Sequence, residues 1–138
     1  ILAMQPEVMI LDEPTAGVDP VGAESLMELL ADLNRTLGMT ILLGTHDVDV
    51  VPAYAGQVIV LREGELLAAG APRHVFAQPE VIESARLRLP YVAQLVQALR
   101  LDRGEESGVL PLTVGEAHAE LRRILRPARD EVYAAGGD

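Results

Sequence analysis

Two adjacent carboxylates, Asp12 and Glu13, close an apolar run that begins at Val8. A strand that ends this way can set one acid to hold a hard cation and aim the next at a water molecule. Mg²⁺ suits the first role, because it takes one or two carboxylates and fills its other positions with water and phosphate oxygens. His46, flanked by Thr45 and Asp47, follows 33 positions after Glu13. Its imidazole titrates near neutral pH and can donate a hydrogen bond to a phosphate oxygen. Asp19 stands directly ahead of Pro20, where it can cap a helix. A lone Asp-Glu pair is more often a pair of exposed acids at a strand end, and a lone histidine a solvated or core residue. His74 and His118, which have no comparable neighbours, read as surface residues.

The elements that must position these residues are legible from pattern and punctuation. Val8 to Asp12 is a continuous apolar run without alternation, as expected of a parallel strand buried on both faces. Asp19 as N-cap and Pro20 at N1 open a helix. Leu26, Leu29, Leu30, Leu33 and Leu37 recur at helical spacing as its expected core stripe, and Gly38 stops it. Met39 to Leu43 reads as a second buried strand ending at Gly44-Thr45-His46. A strand–helix–strand unit makes a parallel pair, so Asp12, Glu13 and His46 are expected together at one end of it. Asp47 is expected to cap a short helix through Val51. Val58 to Arg62 and Glu65 to Ala69 read as a hairpin turning at Glu63-Gly64, with short helices opening at Ala71-Pro72 and Pro79. Pro90 to Leu101 continues as a helix with Val92, Leu95, Val96 and Leu99 on one face. Asp102 to Gly108 is the best linker candidate, and Thr113 to Glu116 fits a capping box ahead of Leu121, Ile124 and Leu125. Ile1 to Met4 reads as a helix end, and Ala134 to Asp138 as a frayed terminus.

Composition removes several function classes. The net charge of −10 repels phosphate backbones, and one Phe with three Tyr leaves no aromatic platform for single strands, so nucleic acid is not an expected partner. All 11 basic residues are Arg; without lysine a P-loop of the form G-x-x-x-x-G-K-[ST] is impossible within these residues. Cysteine is absent, which excludes a disulfide framework and thiolate metal sites. No apolar run approaches the roughly 20 residues needed to span a bilayer. Ile1 to Pro6 has neither an initiating Met nor a basic n-region, and the chain is expected to be a fragment of a longer product.

Val8-Met9-Ile10-Leu11-Asp12-Glu13-Pro14-Thr15 with Ala16-Gly17-Val18-Asp19 resembles the Walker B strand, catalytic glutamate and D-loop of the ATP-binding-cassette (ABC) ATPases. Thr45-His46-Asp47 sits where that family carries its switch histidine. Family members usually have Leu where this chain has Val18, a change that alters no chemistry. The resemblance covers roughly residues 1–101, as the C-terminal half of the ATPase. It implies an α/β fold: a partial P-loop NTPase core with parallel strands and flanking helices, followed by a helical C-terminal tail over residues 102–138. It implies Glu13 and His46 as catalytic residues, Asp12 as the Mg²⁺ ligand, and Asp12, Glu13, His46 and Asp19 as contacts to ATP, with the Asp19 segment reaching towards a partner's site. In the family a P-loop strand lies between the His46 strand and the Val58 strand, so these two are not expected to pair.

Softer segments narrow the resemblance. Arg86 to Leu95, Leu110 to Ala117, and Thr45 to Pro52 look like cobalt/nickel importers of the energy-coupling-factor type. The implied function is the ATP-hydrolysing subunit of such an importer, peripheral on the cytoplasmic face of the cell membrane. Its implied partners are a second ABC ATPase subunit, as homo- or heterodimer, a transmembrane coupling protein and a substrate-binding membrane component. The P-loop, glutamine loop and signature segment precede this region in the family, so the fragment is expected to be inactive alone. Two other readings stand beside it. One is a non-catalytic dimerisation or regulatory module. The other is an ABC-family ATPase with another substrate or task, such as DNA repair, against which Glu63-Gly64-Glu65 and Ala69 to Pro72 speak.

Overall fold

A computed structural model describes residues 6–105 and 108–125. The expected helix end at Ile1 to Met4 and the expected fraying at Ala134 to Asp138 lie outside the described residues. The chain divides into two units, Ile1–Tyr54 and Ala55–Asp138.

In the first unit, β1 (Val8–Asp12), α1 (Pro20–Leu37) and β2 (Thr40–Gly44) form the anticipated strand–helix–strand unit, followed by the short α2 (Val51–Tyr54). The strands run parallel in the register Val8↔Thr40 through Asp12↔Gly44, so both C-terminal ends lie level. Helix α1 begins as its sequence demands: Asp19 has extended dihedrals, its carboxylate accepts from Gly22 N at 3.0 Å, and Pro20 needs no donor of its own. Gly38 closes the helix in the left-handed region (φ 66). Met9, Met27, Leu30 and Met39 form the core, with Leu11, Leu26, Ile41, Leu43 and Val50 packed against it.

Two expectations need correcting here. The core stripe of α1 is Met27 and Leu30 with Leu26 beside them, whereas Leu29 and Leu37 are exposed. Helical spacing fixes a stripe only to within a residue, and the partner surface picks the line. Nor is β1 buried on both faces: Met9 is buried, but Val8 and Ile10 are exposed, as is Leu42 beside Ile10 on β2. Within this unit α1 covers one face of the ladder, and the opposite apolar face stays open. Smaller shifts also occur. The second strand starts and ends one residue later than expected, and Asp47 leads into a turn, with the helix delayed to Val51.

The second unit opens with the antiparallel hairpin β3 (Val58–Arg62) and β4 (Glu65–Gly70). Its two-residue turn has positive φ at both Glu63 (51) and Gly64 (84), the primed geometry that matches strand twist. Among the described residues the ladders β1–β2 and β3–β4 are separate sheets, each of two strands. Helices α3 (Pro72–Phe76) and α4 (Pro79–Ser84) follow, and Val60, Val75 and Val81 make a core under them. Helices α5 (Tyr91–Asp102) and α6 (Val114–Ile124) pack through Val96, Ala117 and Ile124. The buried residues of α5 are Ala93, Val96 and Arg100, and Leu95 is exposed, contrary to the expected face. Arg100 is 7% exposed and donates to Glu120 at 2.6 Å and to the Val109 carbonyl at 3.2 Å. Glu120 also accepts two bonds from Arg123. Thr113 caps α6 by accepting from Glu116 N at 3.3 Å. The return bond of the box goes one residue further back, from Leu112 N to the Glu116 carboxylate at 2.8 Å, and Arg73 of α3 holds the same carboxylate. His74 and His118 are exposed, as anticipated. Among the described residues no helix is long and apolar enough to cross a membrane.

Candidate functional site

The level ends of β1 and β2 build the site. Glu13 N donates to the Gly44 carbonyl at 2.8 Å, carrying the ladder one step beyond Asp12. There the chain turns abruptly. Glu13 adopts φ 44, a left-handed conformation that a non-glycine residue holds only where its surroundings enforce it. Ala16 N then bonds the Glu13 carbonyl at 3.0 Å and Val18 N the Thr15 carbonyl at 3.1 Å, winding the chain towards Asp19.

Three groups grip the Glu13 carboxylate from the loop after β2. Its Oε1 accepts from His46 N at 2.9 Å and lies 2.7 Å from His46 Nδ1. Its Oε2 accepts from Thr45 Oγ1 at 3.3 Å. An ionised carboxylate only accepts, so Nδ1 carries the hydrogen and Nε2 remains as the ring nitrogen that Glu13 does not engage. The His46 side chain is 86% exposed, so the ring is open to a ligand, while that of Glu13 is 33% exposed. The side-chain hydrogen bond to His46 pulls the Glu13 carboxyl below its ordinary value, against the opposing effect of burial and with help from the His46 backbone N–H and the Thr45 hydroxyl. The same bond, with the charges of Glu13 and Asp47, raises His46 above its ordinary value.

Asp12 leans over Gly44, its register partner. A β-carbon on Gly44 would come within 2.8 Å of Asp12 Oδ1, so the missing side chain makes the space that the carboxylate occupies. Among the described residues no three His, Cys, Asp or Glu side chains cluster as a metal cage. A carboxylate at Asp12 without such a cage would suit Mg²⁺, which takes one or two carboxylates and shares its other positions with phosphate oxygens and water. Asp19 is not drawn into the cluster by any bond to it among the described residues; its carboxylate serves the N-terminus of α1. The structure thus brings together Glu13 and His46, sets Asp12 beside them in sequence at the end of β1, and leaves Asp19 on the following loop. Gly44 and Thr45 were not singled out from the sequence. Their position between an apolar strand and His46 was the available signal, but their partners follow only from the register.

No family model matches the chain. Individual proteins do. It is 51% identical over 123 residues to the energy-coupling factor transporter ATP-binding protein EcfA of Methanocaldococcus jannaschii, covering 89% of this chain and 42% of that protein. It is 46% identical over 127 residues to EcfA of Methanococcus maripaludis, covering 91% of this chain and 45% of that one. The chain is homologous to the ABC ATPases. Among solved structures, CbiO1 of Clostridium perfringens, described as part of the ABC transporter complex CbiONQ, matches with a TM-score of 0.53 at 48% identity, over 70% of this chain and 38% of that one. The α/β architecture is accordingly that of part of an ABC ATPase, itself a P-loop NTPase fold, with a helical C-terminal region. The chain spans somewhat less than half the length of these ABC relatives, and the match lies in their C-terminal half.

Proposed function

We propose that this chain is the water-activating part of an ABC-type importer ATPase of the energy-coupling-factor kind. The single observation that carries the reading is the grip of the His46 loop on Glu13 across the ends of β1 and β2. Glu13 would orient the attacking water and take its proton. Positioning of this kind is most of what phosphoryl transfer asks of a protein. His46, whose side chain is 86% exposed, would turn its ring to donate an N–H to a phosphate oxygen of ATP while its backbone N–H stays on Glu13. Asp12, in the space left by Gly44, would hold Mg²⁺, which when bound neutralises charge on the phosphates. Asp19 would keep the loop after Glu13 in a fixed path towards a second ATPase subunit by capping α1.

The same reading takes residues 1–101 as the ATPase portion and 102–138 as a helical tail. It takes cobalt or nickel ions as the cargo, on the strength of the segments from Arg86 and Leu110. A transmembrane coupling protein and a substrate-binding component are the membrane partners, with the ATPase peripheral on the cytoplasmic face. With no lysine to form a P-loop, these 138 residues alone would show no Mg²⁺-dependent ATP turnover above background.

Glu13→Gln in the ATPase of full length tests the reading. Turnover is expected to fall about 100-fold or more, in the range typical of general-base removal, while ATP still binds. Turnover within a few-fold of the parent would overturn it.

A further inference from the structure

We propose that Thr45 is a positioning residue that aims the Glu13 carboxylate, an inference that rests on the reading of Glu13 as the group that handles water. The Glu13 carboxylate has two oxygens, and the bonds to them are unequal in permanence. Oε1 is held by His46 through both its backbone N–H and its ring. The ring is the exposed member, and it leaves Oε1 with one donor whenever it turns to a phosphate. A single bond to one oxygen lets a carboxylate swing. Thr45 Oγ1 holds the other oxygen and does not depend on the ring.

The hydroxyl is itself oriented. Thr45 Oγ1 accepts from Asp47 N at 3.1 Å, which occupies a lone pair and leaves its hydrogen for Glu13 Oε2. Asp47 is fixed in turn, because its Oδ1 accepts from Asp49 N at 3.1 Å. The loop after β2 therefore passes a rigid frame from Asp49 through Asp47 and Thr45 to the carboxylate. Thr45 touches no reacting atom; it acts through Glu13.

The test uses the ATPase of full length, with Thr45→Val, Thr45→Ser and Glu13→Gln, alone and combined. Thr45→Val keeps the shape and removes the hydroxyl, and one lost hydrogen bond of this kind corresponds to about tenfold in rate. The expected result is kcat about tenfold lower with KM for ATP and melting temperature little changed, and recovery to within about twofold in Thr45→Ser. Added to Glu13→Gln, Thr45→Val is expected to cause no further loss. If the valine variant does not fold, Thr45→Ala against Thr45→Ser makes the same comparison. An unchanged kcat, a loss confined to KM, failure of serine to restore the rate, or an additive loss in the double variant would each overturn the inference. If Glu13→Gln abolishes turnover while Thr45→Val does not affect it, only this inference falls. If Glu13→Gln leaves turnover intact, the function itself is misassigned.

Discussion

His46 Nδ1 lies 2.7 Å from Glu13 Oε1, and the backbone N–H of the same histidine reaches the same oxygen at 2.9 Å. One residue thus holds its partner both by a part that can move and by a part that cannot. Rotation of the exposed ring alone would leave the backbone bond to the carboxylate in place. Such a pair is expected where a group must register an incoming charge and pass the information to a neighbour.

The pair has a definite pH signature. His46 is raised above 6.5, so its share of the stabilisation is fully present below 6.5 and is lost as pH climbs through the raised value. Glu13 is lowered below 4.5, so its share is present above 4.5 and is lost as pH falls through the lowered value. The interaction is therefore fullest between about pH 4.5 and 6.5. NMR titration of the imidazole should give a His46 midpoint above 6.5, and Glu13→Gln should bring it down. A His46 midpoint indifferent to that substitution would mean the pair does not form in solution.

Gly44 supplies a second expectation. A side chain there would meet the Asp12 carboxylate at 2.8 Å from its first carbon onward. Gly44→Val should displace Asp12, whereas the donors of Thr45 and His46 to Glu13 come from beyond position 44. In the proposed full-length ATPase, Mn²⁺ binding in the presence of nucleotide, read by electron paramagnetic resonance, should weaken several-fold. The histidine titration just described should stay in place. Unaltered Mn²⁺ affinity would show that Asp12 does not need this space.

The third expectation concerns stability in the second unit. Arg100 is buried and joins α5 to Glu120 of α6. Arg100→Met should cost about 3 kcal/mol, the lower end of the range for removing one partner of a buried pair, because Glu120 keeps Arg123. Chemical denaturation of parent and variant measures this. The two arginines hold Glu120 down at about 2, Arg123 exerting the larger effect. The stabilisation it provides is present above 4.5 and declines as pH falls from there towards 2. The difference between parent and Arg100→Met should accordingly shrink in acid; a constant difference would assign the cost to packing alone.

Sequence punctuation located the elements well because caps and turns are local. Asp19-Pro20, Gly38, Glu63-Gly64 and Thr113 act on their own backbone within a few residues, and each does in the structure what its chemistry requires. Faces were less legible. Met27 replaced Leu29 in the core, and Arg100 went inside, because burial is decided by the surface opposite. Within the site, Asp12, Glu13 and His46 were visible as residue types at a telling separation. Thr45 and Gly44 were not, since their roles exist only once Asp12 faces Gly44 and the next residues reach Glu13. The open side of β1 also escaped, because an unbroken apolar run tells how much of a strand wants cover and not whether this stretch of chain provides it.

That open side has a practical consequence. Among the described residues the ladder has two strands, so each is also an edge, alongside exposed Ile10 and Leu42. Concentrated solutions of this polypeptide by itself should self-associate by lateral strand addition, and detergents or charged substitutions at Ile10 should be the remedy during purification.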